Sequence, residues 1–175
     1  PIDRSGSRGI TKLHDVKGLA EAIDEAKAQG FEKEALVEEF ATGQEYSIEC
    51  VSWKGDHHFL AMTHKFTTGA PHFIETGHME PAPISQEQLK QVKKVVFHAL
   101  DSLEITYGAS HTELKIAKDG TIALIEIGGR MGGDFIGSNL VQLSTGIDFV
   151  KAVIDISLGE EPNLALGDHA AAGVR

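Results

Sequence analysis

The chain of 175 residues has a single cysteine, Cys50, and no long apolar run. One cysteine excludes an internal disulfide framework and is typical of a protein of the reducing cytoplasm. A membrane span needs about 20 consecutive apolar residues, and no run approaches that length. No signal peptide is recognisable at the start of the sequence. We therefore expect a cytoplasmic location and no membrane partner.

Positive charge is also scarce, since 16 Lys and Arg residues stand against 26 Asp and Glu residues and give a formal net charge of −10. Such a balance argues against a nucleic-acid partner. A nucleotide remains compatible, because it needs only local cations and backbone N–H donors. Two common motifs are missing: the GxxxxGK[ST] spacing of a P-loop, and any Cys/His spacing that suits zinc.

Hydrophobic content of 41% and charged content of 24% are those of an ordinary globular protein with one core and room for a smaller lobe. Hydrophobic periodicity and turn signals divide the chain into elements. We predict helices over 15–30, 85–103 and 148–158, a strand over 35–41, hairpins over 45–66 and 111–130, and an irregular segment over 67–83. An opening strand is expected at 173–175.

The hairpin over 111–130 is the centre of the interpretation. Asp119-Gly120 between two alternating runs predicts a two-residue type I′ turn. Counting back from such a turn places Glu113 opposite Glu126, with their Cβ atoms roughly 5 Å apart. Side chains alternate along a strand, so two faces follow. The predicted core face carries Leu114, Ile116, Ala123, Ile125 and Ile127, and the predicted polar face carries His111, Glu113, Lys115, Leu124, Glu126 and Gly128.

Two facing carboxylates repel unless a positive group lies between them. A hard divalent cation resolves the repulsion, since Mg²⁺ is usually held by one or two carboxylates and substrate phosphates. The alternatives are that one acid is protonated, or that Lys115 neutralises both on a solvated face. The pair alone leaves these interpretations open.

Three further segments carry candidate groups. Residues 128–134 are rich in glycine, which allows close approach of a ligand and places Arg130 beside the carboxylate pair. Residues 1–9 form a glycine-serine loop whose arginines, Arg4 and Arg8, suit phosphate, although a flexible terminus explains the composition equally well. In the segment 67–83, Glu75 and His78 are polar candidates in what is either a functional loop or a solvated crossover.

These parts, in this order, resemble the ATP-grasp superfamily, specifically its carboxylase-like and L-amino-acid-ligase-like branch. The resemblance runs from Pro1 to about Pro162. It rests on the loop Ser-Gly-Ser-Arg-Gly at 5–9, Val-Glu-Glu-Phe at 37–40, Gly-Gln-Glu-Tyr-Ser-Ile-Glu at 43–49, Glu-Thr-Gly-His at 75–78, His-Thr-Glu-Leu-Lys at 111–115 and Ile-Glu-Ile-Gly-Gly-Arg-Met-Gly-Gly at 125–133.

The resemblance implies roles at the matching positions. A mobile loop over the ATP phosphates is implied for Ser5, Gly6, Ser7, Arg8 and Gly9. The linker that contacts the adenine edge is implied for Glu38, Glu39, Phe40 and Ala41, and the acid that holds the ribose hydroxyls for Glu45. Glu113 and Glu126 match the magnesium ligands, with Mn²⁺ as a substitute metal. Arg130 matches the arginine that steadies the acyl phosphate or the substrate carboxylate, and Glu75 and His78 match substrate-pocket residues.

The implied fold is α+β, an ATP-grasp fold with a mostly antiparallel sheet, flanking helices and a missing N-terminal part. Residues 1–40 would belong to the small lid subdomain and residues 41–175 to the large subdomain that carries the metal site. Two departures stand out. Gly128 occupies the place of a metal-binding asparagine in biotin-carboxylase-like members, and the phosphate-binding lysines of the family would precede Pro1.

The implied reaction is ATP-dependent ligation of a small carboxylate to an amine or a thiol through an acyl phosphate. As a fragment, the chain alone is expected to be inactive. The alternatives are an enzyme similar to carbamoyl-phosphate synthase or biotin carboxylase, and a nucleotide-binding module without catalysis. A homo-oligomer is compatible with the sequence.

Overall fold

The computed structural model describes residues 1–4, 8–69 and 74–175. These residues form two compact units, one made of Pro1–Ala41 with Thr67–Thr76 and the other of Thr42–Phe66 with Gly77–Arg175. Within the described part, six strands form one sheet; in chain order they are Gln44–Trp53 (β1), Asp56–Thr67 (β2), Glu75–Glu80 (β3), Gly108–Ile116 (β4), Ile122–Gly128 (β5) and Ala172–Val174 (β6). Four α-helices accompany them: Leu19–Gln29 (α1), Gln86–Ser102 (α2), Val141–Thr145 (α3) and Phe149–Ser157 (α4).

The strands lie in the order β5-β4-β1-β2-β3-β6. The pairs β1–β2, β1–β4, β4–β5 and β3–β6 are antiparallel. The predicted α+β class with a mostly antiparallel sheet and flanking helices is thereby confirmed. No helix in the described ranges combines the length and the apolar character that crossing a membrane requires.

The smaller unit is built around α1. The first residues of the chain contact the segment that follows α1. Asp3 Oδ2 accepts hydrogen bonds from the backbone N–H groups of Phe31 at 2.8 Å and Glu32 at 2.7 Å. The predicted start of this helix at Asp15 was wrong. Asp15 instead accepts a hydrogen bond from the N–H of Lys17, and the helix begins at Leu19.

The predicted strand over 35–41 was also wrong. A strand needs a neighbour that completes its backbone hydrogen bonds, and among the described strands none pairs with this segment. Leu36 and Val37 are 66% and 63% exposed, so the apolar residues of the segment are not buried in a core.

The larger unit has a core on each face of the sheet. On one face, Ile48 and Leu114 pack against α2, whose buried residues are Val92, Val96 and Leu100. The N-terminus of α2 is capped, because Ser85 Oγ accepts a hydrogen bond from the N–H of Gln88 at 3.1 Å. This core fixes the sheet and directs the alternate side chains of β1 and β4 to the opposite face.

The opposite face is divided along its length. Near one end, Val51 and Ala109 form a second core with α3 and α4, through side chains such as Val141, Phe149 and Ile156. The remaining part carries Glu45 and Glu49 of β1, Glu113 of β4 and Glu126 of β5, and we call it the acidic face. Helices α3 and α4 therefore pack on one part of this face, and the acidic face lies on the other part.

The hairpin of β4 and β5 brings Glu113 opposite Glu126, as predicted, but by a different local route. The turn is not type I′, because Gly120 has a φ of +88° whereas Asp119 is not among the residues with positive φ. The N–H of Ala117 bonds the carbonyl of Thr121, so three residues form the loop. A bulge between Glu113 and Leu114 then compensates for the extra residue.

The bulge also corrects the predicted faces of β5. Leu124 pairs with Leu114 and Ala123 pairs with Lys115, so each lies on the face opposite to the predicted one. Ile125 was expected in the core but is 45% exposed. The bulge interrupts the alternation of side chains between the two faces, and the sequence of β5 alone does not indicate at which residue this occurs.

Candidate functional site

Glu113 is held by two cationic neighbours on the acidic face. Lys65 Nζ of β2 donates to Glu113 Oε1 at 2.9 Å, and His111 Nε2 lies 3.2 Å from the same oxygen. The hydrogen bond of His111 and the charge of Lys65 outweigh desolvation and lower the pKa of Glu113 to about 2. Glu113 is therefore ionised at neutral pH, which excludes the interpretation that this acid is the protonated member of the pair.

Lys65 is buried, with 2% of its surface exposed, and it also approaches a second carboxylate. Its Nζ lies 3.4 Å from Glu45 Oε1, while Lys115 Nζ lies 3.7 Å from Glu45 Oε2. Lys115 thus contacts Glu45, the residue whose implied role is to hold the ribose. Lys65 was not predicted to lie on this face, although the alternation of side chains along β2, which pairs with β1, carries that signal.

Behind Glu113 lies a buried histidine-carboxylate pair. His111 is 5% exposed, and its Nδ1 hydrogen-bonds Glu49 Oε1, a carboxylate with no exposed surface. Desolvation lowers the pKa of His111, but its hydrogen bonds and charge interactions with Glu113 and Glu49 raise it further, to about 9. The imidazole therefore bears a positive charge at neutral pH, between two carboxylates.

The glycine-rich loop of residues 128–134 follows β5 and contacts this pair. The N–H of Gly132 donates to Glu49 Oε2 at 2.9 Å. A methyl group at Gly132 would lie 2.6 Å from Glu49 Oε1 and 2.9 Å from His111 Nδ1, so the backbone approaches the pair as closely as only glycine allows.

Glu126 and Arg130 lie at the outer edge of the acidic face, and both are exposed. The Arg130 guanidinium donates to the carbonyl of Met131 at 2.9 Å. Its side chain lies over Gly128, where an added methyl group would be 3.4 Å from Arg130 Cγ. Gly128 pairs with His111, so Arg130 lies above the hairpin two pairs from the facing carboxylates.

The remaining candidates of the larger unit lie on β3 and after β5. His78 is 4% exposed, and its Nε2 lies 3.7 Å from Asp134 Oδ2. The segment predicted to be irregular over 67–83 contains the whole of β3, so that prediction was wrong for Glu75–Glu80. His78 pairs with Val174 of β6, in agreement with the strand expected near 173–175.

The smaller unit contains most candidates for nucleotide binding. Arg8, Glu38 and Glu39 are exposed, Phe40 is 39% exposed, and Lys12 Nζ lies 3.7 Å above the Phe40 ring. Gly9 and Ala41 are half-buried, and Gly9 has a φ of +71°. Glu75 also belongs to this unit and is exposed. Ser5, Gly6 and Ser7 lie outside the described residues.

The facing carboxylates fit a hard divalent cation. Lys65 and His111 both contact Glu113 Oε1, and Glu126 lies opposite Glu113 with an exposed side chain. Two carboxylates that face each other across a strand pair match the preference of Mg²⁺ for oxygen ligands. Because the pKa of Glu113 is lowered, this carboxyl group need not release a proton before a cation binds.

Comparison with known proteins gives a consistent family assignment. A sequence model of the ATP-grasp domain matches residues 1–138. Alanine–anticapsin ligase of Bacillus subtilis strain 168 is 27% identical over 190 residues, which cover 95% of this chain and 40% of that protein. The chain spans less than half the length of the curated relatives it matches.

Solved structures agree with that assignment. The L-amino acid ligase of Bacillus licheniformis superimposes with a TM-score of 0.76 at 31% identity, over 93% of this chain and 41% of that one. The biotin carboxylase domain of Hydrogenobacter thermophilus 2-oxoglutarate carboxylase, solved with MgADP and bicarbonate, gives a TM-score of 0.81 at 18% identity, over 97% of this chain and 38% of that one. The second likeness concerns the fold alone.

Proposed function

We propose a function from one premise: this chain belongs to the ATP-grasp family. The protein of which it forms part is an ATP-dependent ligase that joins a small carboxylate to an amine or a thiol through an acyl phosphate. The observation that carries the proposal is the direct pairing of Glu113 with Glu126 beside the loop that bears Arg130. The likeness to alanine–anticapsin ligase and to an L-amino acid ligase supports an amino-acid substrate.

In this proposal the metal ligands are Glu113 and Glu126, and the metal is Mg²⁺ or Mn²⁺ in its place. When bound there, the cation would supply charge neutralisation for transfer of the γ-phosphoryl group from ATP to the substrate carboxylate, with ADP as the leaving group, before the amine or thiol displaces phosphate. Phosphoryl transfer needs little covalent chemistry from the protein, so positioning and electrostatics are its main contributions. We therefore assign no protein nucleophile to the reaction.

The charged side chains of the acidic face have complementary roles. Arg130 is always charged and can bind two oxygens of a phosphoryl group or a carboxylate at once, which suits an acyl phosphate. Lys65 and His111 hold Glu113 ionised and fixed. Glu45, already between Lys65 and Lys115, would exchange part of this pairing for the ribose hydroxyls.

We also propose that the chain contributes to two subdomains of the ATP-grasp fold. Residues 1–40 would form part of the lid subdomain, with binding of the ATP phosphates assigned to residues 5–9 and contact with the adenine edge assigned to Glu38, Glu39, Phe40 and Ala41. Residues 41–175 would form the large subdomain with the metal site. The exposure of Glu38 and Phe40 is compatible with contact to a nucleotide.

Substrate recognition is assigned to Glu75, His78 and Arg130. The exposed acid Glu75 suits the amine of an amino acid, and the imidazole of His78, which lies 3.7 Å from Asp134 Oδ2, suits polar contact with the substrate. Gly128 offers no side-chain ligand, which argues against a biotin-carboxylase-like donor set with an asparagine at this place. The single thiol, on the buried Cys50, and the use of ATP favour a cytoplasmic location.

Calorimetry of ATP binding with and without Mg²⁺ tests the proposal directly. We expect Mg²⁺-dependent binding by the wild-type chain and its loss in the variant Glu113→Ala/Glu126→Ala. Glu160→Ala/Glu161→Ala is the matched control, because it removes two exposed carboxylates that follow α4. Equal binding by the two double variants would contradict the proposed metal site. Binding without turnover in the longer protein would favour the non-catalytic module.

A further inference from the structure

Glu49 is a buried carboxylate whose two oxygens contact two different parts of the site. Oε1 hydrogen-bonds His111 Nδ1, and Oε2 accepts a hydrogen bond from the N–H of Gly132 at 2.9 Å. The side chain has no exposed surface. Burial of a carboxylate is unfavourable unless its oxygens are satisfied, so this position is specific for a group that accepts hydrogen bonds in two directions.

Each of the two partners of Glu49 is linked to a residue of the proposed phosphate site, His111 to Glu113 and Gly132 to Arg130. From His111 the chain of hydrogen bonds runs through Nε2 to Glu113 Oε1 at 3.2 Å. From Gly132 the backbone runs back two residues to Arg130. The Gly132 backbone also lies so close to both Glu49 and His111 that a methyl group added there would overlap with the pair.

A second buried carboxylate shows that burial alone does not create this link. Glu80 is also fully buried, and its oxygens accept hydrogen bonds from Thr63 Oγ1 at 2.6 Å and Ser144 Oγ at 2.8 Å. Neither partner is hydrogen-bonded to Glu113 or to the glycine-rich loop within the described part of the chain. Glu80 therefore serves as a structural comparison for Glu49.

We propose that Glu49 is a positioning residue that couples the metal ligand Glu113 to the loop bearing Arg130, through His111 on one side and the Gly132 amide on the other. This inference rests on the proposed function, because it assigns Glu113 to the metal. Residues that orient metal ligands from behind commonly change metal affinity 10- to 100-fold when removed. Glu49 contacts neither metal nor phosphate in this scheme and acts through its neighbours.

Two measurements on the 175-residue chain test the coupling without any turnover. The first is the affinity for Mn²⁺ alone, by electron paramagnetic resonance. The second is the hydrogen exchange of the Gly132 amide in the absence of metal. For Glu49→Ala we expect Mn²⁺ affinity to fall about 10-fold or more and Gly132 exchange to accelerate. Glu49→Gln retains an acceptor for Gly132 and should keep that amide protected. Glu80→Ala is the control, and should leave both readouts unchanged.

Two substitutions of His111 separate the halves of the coupling. His111→Asn keeps a polar group toward Glu49 and removes the one toward Glu113, so Mn²⁺ affinity should fall while Gly132 stays protected. His111→Gln keeps the group toward Glu113 and loses the one toward Glu49, so it should retain more Mn²⁺ affinity than His111→Asn. Both variants preserve a buried polar side chain and limit the loss of fold that His111→Ala risks.

The outcomes distinguish the two proposals. If Glu113→Ala/Glu126→Ala abolishes Mn²⁺ binding but Glu49→Ala binds like wild type, the coupling is overturned and the metal site stands. If Glu80→Ala reproduces every effect of Glu49→Ala, the effect is general loss of packing and the coupling is again overturned. If the folded wild-type chain binds no Mn²⁺, the proposed metal site fails and the role of Glu49 in it fails as well.

Discussion

Lys65 Nζ lies 2.9 Å from Glu113 Oε1, although Lys65 exposes only 2% of its surface. A buried ammonium is stable only when anions compensate for the lost water, and Glu45 and Glu113 provide this compensation. The pair therefore has two consequences. It keeps Glu113 ionised, and it makes the acidic face dependent on one lysine of β2.

Substitution of this lysine gives the first prediction. Lys65→Met leaves Glu113 without its nearest cation, and we expect the free energy of unfolding to fall by about 3 kcal/mol. Lys115→Met is the control, since Lys115 lies at the longer distance of 3.7 Å from Glu45, and should cost about 1 kcal/mol or less. Urea unfolding measures both. Equal losses in the two variants would contradict the special role of Lys65.

The two neighbouring glycines of the loop at 128–134 give a second prediction. An alanine methyl at Gly132 would lie 2.6 Å from Glu49 Oε1, whereas at Gly133 no atom lies within 4 Å. Gly132→Ala should therefore cost about 1–3 kcal/mol by overpacking, and Gly133→Ala less than about 0.5 kcal/mol. Thermal unfolding of the two variants measures the difference. A harmless Gly132→Ala would mean that the loop does not press on Glu49.

Glu80 gives a third prediction, which concerns pH. Burial raises the pKa of Glu80 above the ordinary value of 4.5, although Thr63 and Ser144 donate to it and act in the opposite sense. The folded state then binds the proton more tightly than the unfolded state, so the stabilisation due to protonated Glu80 is complete below pH 4.5 and is lost as the pH rises through the folded-state pKa.

Glu80→Gln removes this titration while it keeps an acceptor for Thr63. The stability of the variant relative to wild type should increase as the pH rises from 4 toward 8, as urea unfolding at a series of pH values would reveal. Glu161→Gln, at an exposed position, should show a flat difference. A flat difference for Glu80→Gln as well would show that the carboxyl has an ordinary pKa in the folded state.

The facing carboxylates illustrate what the sequence can and cannot specify. The predicted register placed Glu113 opposite Glu126, as observed, although the two-residue turn on which it was counted was wrong. The local path was not predictable, because a three-residue loop and a bulge each change the register by one and cancel. The side chains around Glu113 depend on the order of the strands in the sheet, and local sequence patterns do not specify that order. Lys65 and Glu49 were therefore missed as parts of the site.

The helices show a similar contrast. The predicted helix starts at residues 85 and 148 agree with the caps of α2 and α4, where Ser85 and Asp148 each accept a hydrogen bond from the N–H three residues on. The short α3 and the π-helical turn over Ile136–Leu140 were not predicted. Both depend on tertiary packing, since Val141 lies in the second core, Ile136 is buried and Gly137 closely approaches Met131.

The two hairpin loops give the last prediction, because each contains a turn signal but only one adopts the type I′ conformation. Lys54 and Gly55 have φ values of +55° and +87° between the paired residues Trp53 and Asp56, whereas Asp119 has no positive φ. Asparagine tolerates the left-handed region better than lysine does. Lys54→Asn should therefore raise the free energy of unfolding by about 0.5–1 kcal/mol.

The same replacement at the other loop is the matched control. Asp119→Asn keeps the acceptor for the N–H of Thr121, which bonds Asp119 Oδ1 at 2.9 Å, and relieves no backbone strain. We expect a change below about 0.5 kcal/mol, measured with Lys54→Asn in parallel thermal unfolding experiments. Stabilisation by Asp119→Asn equal to that by Lys54→Asn would indicate a type I′ turn at 119–120. The register would then need no bulge, and Ile125 would return to the core face.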